Sequence, residues 1–359
     1  METTFFNQIV QSIGSRVYQS QQGNKFSLDK NEQPKDVELS LKVKIVESLL
    51  NANWNRYPSS DYKDIEANIA EYAGVSPENI VLSAGSASII TTLLDYFALN
   101  KKRIIITQPS YSLFDYHCKT YNIPYTPWLL NNALEYDLSL LPDLDANSVV
   151  IITAPNNPVG NSIKYSDVVT LLRNNPNALF IIDGVYTEFS STDFTPLINE
   201  FNNLIVLRSF SKAFPIAGLR LGYLCATQSV AAIVKKLILQ FSINNFSLIF
   251  AREILFTADF LKASKQKVNE IISERERMKN ILHNHYSQST ITVFPSEGNF
   301  LLIRICNNNN FLKVTEALIQ RGIKVLNTSN FILLENTIRI SVGTAEENDA
   351  FLECMLNTM

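Results

Sequence analysis

Five short runs of β-branched and aliphatic residues recur in the first two-thirds of the chain, at 80–83, 103–107, 148–153, 178–183 and 204–208. Each ends on a polar or charged side chain: Ser83, Thr107, Thr153, Asp183 and Arg208. The runs are continuously apolar rather than alternating, which is the pattern of strands buried on both faces. Helical apolar spacing at 89–97 and 165–172 separates some of them. Strands alternating with helices make a parallel sheet. An α/β fold is predicted, built on a large, doubly wound, mostly parallel sheet. Ligands bind such sheets just beyond the C-terminal strand ends, so the five polar side chains are predicted to converge on one edge.

With 359 residues, 46% of them hydrophobic, the chain can bury one large domain and a smaller one. A net charge of −3 gives no reason to expect nucleic acid or an acidic membrane surface as a partner. Cys118, Cys225, Cys306 and Cys354 are scattered without a CxxC pair, and the three histidines supply no metal-ligand spacing. Residues 1–24 read as a short helix and a Gln/Ser-rich turn without a signal-peptide core, and no apolar run reaches membrane-spanning length. A cytoplasmic protein is expected.

The stretch after the fifth run carries the most chemistry. Ser209 and Ser211 flank Lys212, and Arg220 follows, with Pro215 and Gly218 shaping the segment between them as a loop rather than a helix. Hydroxyls and a guanidinium suit a phosphate dianion. A lysine beside a bound phosphate suits carbonyl chemistry on a phosphorylated aldehyde cofactor. After 80–83, Gly85, Ser86 and Ala87 open a helix, where backbone N–H groups and the helix dipole favour an anion. Two prolines and Gly160 make a rigid turn around Asn157, whose amide can bond a phenolate oxygen. Asp183 is expensive at the end of so apolar a strand unless a cation pairs with it, although turn aspartates are also common.

Together these stretches resemble fold-type I pyridoxal-phosphate (PLP) aminotransferases, and within them the histidinol-phosphate aminotransferases and the related threonine-phosphate decarboxylases. The likeness runs from about residue 28 to 344. It implies that Lys212 binds the cofactor aldehyde and serves as general base, that Asp183 keeps the ring nitrogen protonated, and that Tyr186 and Asn157 bind the ring oxygen. Tyr111 would cover the ring, and Gly85, Ser86, Ala87, Ser209, Ser211 and Arg220 would hold the phosphate. Asn31 leads into the substrate site, and Arg339 grips the substrate's anionic group. Tyr57 would reach the partner's phosphate in a homodimer. Read from the residues alone, Tyr57 is better taken as a packing group in a Pro-containing turn, while Tyr111 serves equally as a packing group and Arg339 as an exposed edge-strand arginine.

The implied protein is a PLP-dependent aminotransferase of amino-acid biosynthesis. It would move an amino group from histidinol phosphate or an aromatic or apolar amino acid to a 2-oxo acid. A large domain would span 43–245, and a smaller α+β domain would join 1–42 to 246–359. A decarboxylase on the same scaffold and a non-catalytic PLP-binding protein are the alternatives. Three residues depart from the family pattern: Gln33, Gly184 in place of the usual glutamate, and Leu326 where a second arginine is usual. Leu326 implies that an apolar or aromatic donor is preferred to histidinol phosphate, unless Lys324 turns inward to restore a cation.

Overall fold

The computed structural model describes residues 24–359, so the helix expected near the N-terminus lies outside the described residues. Seven strands form the main sheet in the order β2-β8-β7-β6-β5-β3-β4. They are β2 (Ile80–Ser83), β3 (Arg103–Gln108), β4 (Tyr125–Leu129), β5 (Ser148–Thr153), β6 (Leu179–Asp183), β7 (Leu204–Ser209) and β8 (Gly222–Ala226). β3, β4, β5, β6 and β7 run parallel to one another, and β8 runs antiparallel to both β2 and β7.

Every residue of β2, β5, β7 and β8 is buried, because helices and loops cover both faces. This accounts for the unbroken apolar runs. Ile152 and Ile182 are fully enclosed and pair in register. Truncating either to alanine costs about 2–5 kcal/mol in transfer energy and residual cavity. The register also sets Asp183 beside Thr153 and Leu207, at the same height on the sheet edge. Gly74 caps the helix Lys63–Ala73 in a left-handed conformation, φ 69°.

A second, antiparallel sheet has the order β12-β13-β10-β9. Its strands are β9 (Ile291–Val293), β10 (Phe300–Ile305), β12 (Leu326–Asn327) and β13 (Thr337–Ser341). Pro295 and Gly298 interrupt the apolar run 292–305, and the chain doubles back between β9 and β10. The run 323–326 divides too. β11 (Ile323–Lys324) pairs parallel with β1 (Phe26–Ser27), and β12 pairs with β13. Arg339 therefore lies on an interior strand, not an edge. The long amphipathic stretch 248–286 resolves into the helix Asn245–Phe250, a π-turn at Ala251–Leu255 and the 28-residue helix Ala258–His285. Among the described residues no helix is long and apolar enough to cross a membrane.

Candidate active site

A cavity of about 420 Å3 opens past the C-terminal ends of β5, β6 and β7. Asp183 ends β6 and is 1% exposed, with the Val185 N–H at 3.4 Å from its carboxylate. Burial pushes its acid up to about 7, against the opposing pull of that N–H and of the Lys212 charge. Lys212 sits on a single helical turn, Phe210–Ala213, which Pro215 ends; the loop expected beyond it closes as a 3-10 turn at Ala217–Leu219. Its Nζ donates to the Lys30 carbonyl at 2.8 Å. Burial, then the nearby Arg339 charge, lower the amine to about 8, while Glu32 and Asp183 oppose the fall. The cavity thus brings together a buried acid and an easily neutralised amine.

One end of the cavity suits an anion. The helix Ser86–Leu99 starts there with no side-chain cap, leaving the N–H groups of Ser86 and Ala87 available, while that of Ser88 bonds the Gly85 carbonyl at 3.2 Å. Gly85 precedes it at φ 85° and ψ 156°, a conformation open to glycine alone. A Cβ on Gly85 would lie 2.8 Å from Arg220 Nη2, so the guanidinium lies directly over the glycine. Arg220 Nη1 lies 3.4 Å from Ser211 Oγ, and the Ser211 N–H donates to Ser209 Oγ at 3.1 Å. Ser86, Ala87, Ser209, Ser211 and Arg220 all line this end; Gly85 stands behind the arginine instead. Gly222 lets β8 approach closely, since a Cβ there would be 2.4 Å from the Ser86 nitrogen.

At the other end Arg339, 4% exposed, donates from Nη2 to the Asp29 carbonyl at 2.5 Å and from Nη1 to Asn157 Oδ1. Tyr111, Asn157 and Tyr186 line the wall between the two ends. Burial pushes the Tyr186 phenol up to about 12, with the Arg339 charge and an Asn31 hydrogen bond drawing it back. Leu326 and Phe331 complete the wall beside Arg339. Lys324 is not itself on the wall; it pairs at 3.2 Å with Asp29, which is.

Several expected placements differ. Asn31 is not on the cavity wall. Its left-handed backbone, φ 55°, turns the side chain inward onto Tyr186, while Lys30 and Glu32 on either side reach the wall. Of the five strand-end groups only Asp183 lines the cavity. Side chains alternate along a strand, and Arg208 points to the opposite side, where Glu188, Asp193 and Thr195 receive it at 2.8, 3.1 and 2.9 Å. Gly184 also faces away: a Cβ there would meet Thr187 Oγ1 at 2.9 Å, so the departure from glutamate leaves the cavity wall unchanged. Tyr57 is 82% exposed, stacks on Phe241 with ring centroids 5.0 Å apart, and is not on the wall of its own chain's cavity.

Ser110, Asp29, Lys30 and Phe331 line the cavity without having been singled out in the sequence. The Ser110 hydroxyl is buried without a hydrogen-bond partner among the described residues. Its position just after a strand end and Pro109 was the available signal.

Residues 23–354 match the family described as aminotransferase class I and II. The chain is 34% identical over 340 residues to the histidinol-phosphate aminotransferase of Thermococcus gammatolerans, covering 94% of this chain and 93% of that protein. It is 32% identical over 340 residues to that of Pyrococcus furiosus, covering 94% of each. A crystal structure of the histidinol-phosphate aminotransferase from Clostridium acetobutylicum aligns with a TM-score of 0.81 at 26% identity, covering 92% of this chain and 98% of that one. The Sinorhizobium meliloti enzyme, solved in complex with pyridoxal-5'-phosphate, aligns with a TM-score of 0.82 over 99% of this chain and 97% of that one; at 21% identity this speaks to the fold alone.

Proposed function

The chain belongs to the class I and II aminotransferases, and from that premise we propose that it transfers an amino group from a donor to a 2-oxo acid, using PLP at Lys212. The observation that carries this reading is the pairing of a buried, hard-to-ionise Asp183 with a lowered-pKa Lys212 in one cavity. The residues fit the group. Asp183 needs a cationic partner, the uncapped helix start and Arg220 suit its phosphate, and the orphaned Ser110 hydroxyl suits a polar ligand. Bound there, PLP supplies an electron sink for the donor's α-carbon.

The chain's own residues do the rest. Ser86, Ala87, Ser209, Ser211 and Arg220 hold the phosphate. Asn157 and Tyr186 would direct hydrogen-bonding groups at the ring oxygen, and Tyr111, on the same wall, would limit water there. Arg339 binds the donor's anionic group as a planar two-pronged donor. Lys212 Nζ takes the proton from the donor's α-carbon.

Leu326 and Phe331 form an apolar wall beside Arg339. The preferred donor on this reading is an apolar or aromatic amino acid, whereas the relatives' names point to histidinol phosphate. Specificity constants for phenylalanine, leucine and histidinol phosphate, with 2-oxoglutarate as acceptor, decide. Transfer from none of them, by PLP-loaded protein, would remove the aminotransferase reading; a clear preference for histidinol phosphate would remove only the donor assignment.

We further propose a homodimer. Leu39, Val43, Val46 and Leu50 lie 75, 49, 51 and 72% exposed along one face of the helix Leu39–Leu50, and Trp54, at 74%, and Tyr57 extend the apolar surface. A second copy covering this face would bring Tyr57 to its neighbour's cavity. Sedimentation at assay concentration tests it, and a fully active monomer would contradict it. The large unit is taken as 43–245 and the small one as 1–42 with 246–359, in a cytoplasmic protein. Proteolytic cuts falling first inside the main sheet, or recovery in a membrane fraction, would count against these assignments.

A further inference from the structure

Behind Tyr186 lies a closed polar cluster made of Asn31, Asn299 and Ser341. All three are buried, at 1, 0 and 3% exposure. The Asn31 main-chain N–H donates to Ser341 Oγ at 2.8 Å, and Ser341 Oγ lies 2.9 Å from Asn31 Oδ1. Asn299 Nδ2 donates to the Asn31 carbonyl at 3.0 Å, and Asn31 Nδ2 donates to the Tyr186 hydroxyl at 2.9 Å. Every polar group of Asn31 is engaged, which holds a non-glycine residue in a left-handed conformation.

Ser341 Oγ accepts from a main-chain N–H and still has one hydrogen to give, and Asn31 Oδ1 is the acceptor beside it; an overturned amide would offer Oγ a second donor and take that acceptor away. The Asn31 amide is thereby oriented with its NH2 toward Tyr186. The Tyr186 oxygen accepts that hydrogen, so its own must point elsewhere, and the cavity is the side it lines. With the phenol pushed up to about 12, Tyr186 keeps that hydrogen near neutral pH.

We propose that Ser341 is a positioning residue that, by fixing the Asn31 amide, keeps the Tyr186 hydroxyl hydrogen directed into the cavity. Without Ser341 the amide can turn over, and Tyr186 would spend its hydrogen on Asn31 Oδ1. The proposal rests on the aminotransferase reading, in which that hydrogen stabilises an oxyanion on the cofactor and lowers the pH at which the bound cofactor titrates.

The test is the pH titration of the visible absorbance of PLP-loaded wild type, Ser341→Ala, Ser341→Thr, Tyr186→Phe and the Tyr186→Phe/Ser341→Ala double variant. Ser341→Ala is expected to raise the midpoint by about one pH unit, the size of one hydrogen bond to a charged group. Ser341→Thr keeps the hydroxyl and the wild-type midpoint. Adding Ser341→Ala to Tyr186→Phe produces no further shift. Ser341→Cys, of similar volume with a weak donor, shifts the midpoint in the same direction and serves if the alanine variant does not fold. An alanine variant that melts earlier at an unchanged midpoint, or an equal shift in the phenylalanine background, overturns the proposal while leaving the aminotransferase reading intact. A wild-type protein with no cofactor absorbance overturns both.

Discussion

Replacing Asp183 by asparagine keeps the shape of the side chain and removes its charge. In the cofactor-free chain this carboxyl is almost wholly buried, and its acid is pushed from 3.8 to about 7. Below about pH 4 it is neutral in both the folded and unfolded chain. Between 3.8 and about 7 the unfolded chain releases the proton while the folded chain retains it, so stability falls as pH rises. Above that window the loss is complete. At about 1.4 kcal/mol for each pH unit, the gap amounts to at most about 4 kcal/mol.

Asp183→Asn has no such loss. Urea-unfolding curves of the cofactor-free proteins should therefore diverge across this window, with the variant the more stable near pH 8. Loading with PLP should reverse the order of merit. The variant should keep cofactor through the phosphate end yet lose most turnover, because a neutral amide cannot hold the ring nitrogen protonated. Parallel stability curves, or near wild-type transamination by Asp183→Asn, would refute the electrostatic reasoning.

Gly85→Ala forces a side chain into a conformation costing about 1–3 kcal/mol and against Arg220, so PLP affinity should fall more than overall stability, as read by equilibrium dialysis beside a thermal melt. Lys212 in the cofactor-free chain is lowered to about 8, so the rate of PLP uptake should rise as pH passes through that value; a flat stopped-flow profile would contradict it. In the same chain the unfolded lysine keeps its proton up to about 10.5 while the folded one releases it near 8, so stability should rise over that window and fail to do so in Lys212→Met. Leu326→Arg should improve the specificity constant for histidinol phosphate by about ten- to a hundredfold, measured against phenylalanine.

The main sheet was legible because its strands are buried on both faces, and such strands must be written as unbroken apolar runs. Lys212, Asp183 and the Gly85–Ala87 turn are each common locally and were legible only in combination, because strand ends of one parallel sheet converge on one edge. Asn31 was misplaced because a left-handed residue reverses the direction of its side chain, and only the contacts with Ser341 and Asn299, far along the chain, hold it there. Arg208 was assigned to the cavity by its position at a strand end, yet alternation and two carboxylates draw it to the opposite side. The break at Val325, which sends Lys324 to Asp29 and leaves Leu326 on the wall, depends on β1 and β13 competing for one short run. None of these three outcomes is written in a local pattern.

The central claim is that Lys212 is the residue joined to the cofactor. Borohydride reduction of the PLP-loaded protein, followed by proteolysis and peptide mapping, tests it directly. A yellow protein whose reduced cofactor is found on the peptide carrying Lys212 is the predicted result. The label on Lys30, the other lysine lining the cavity, or on any lysine outside it, would contradict the account.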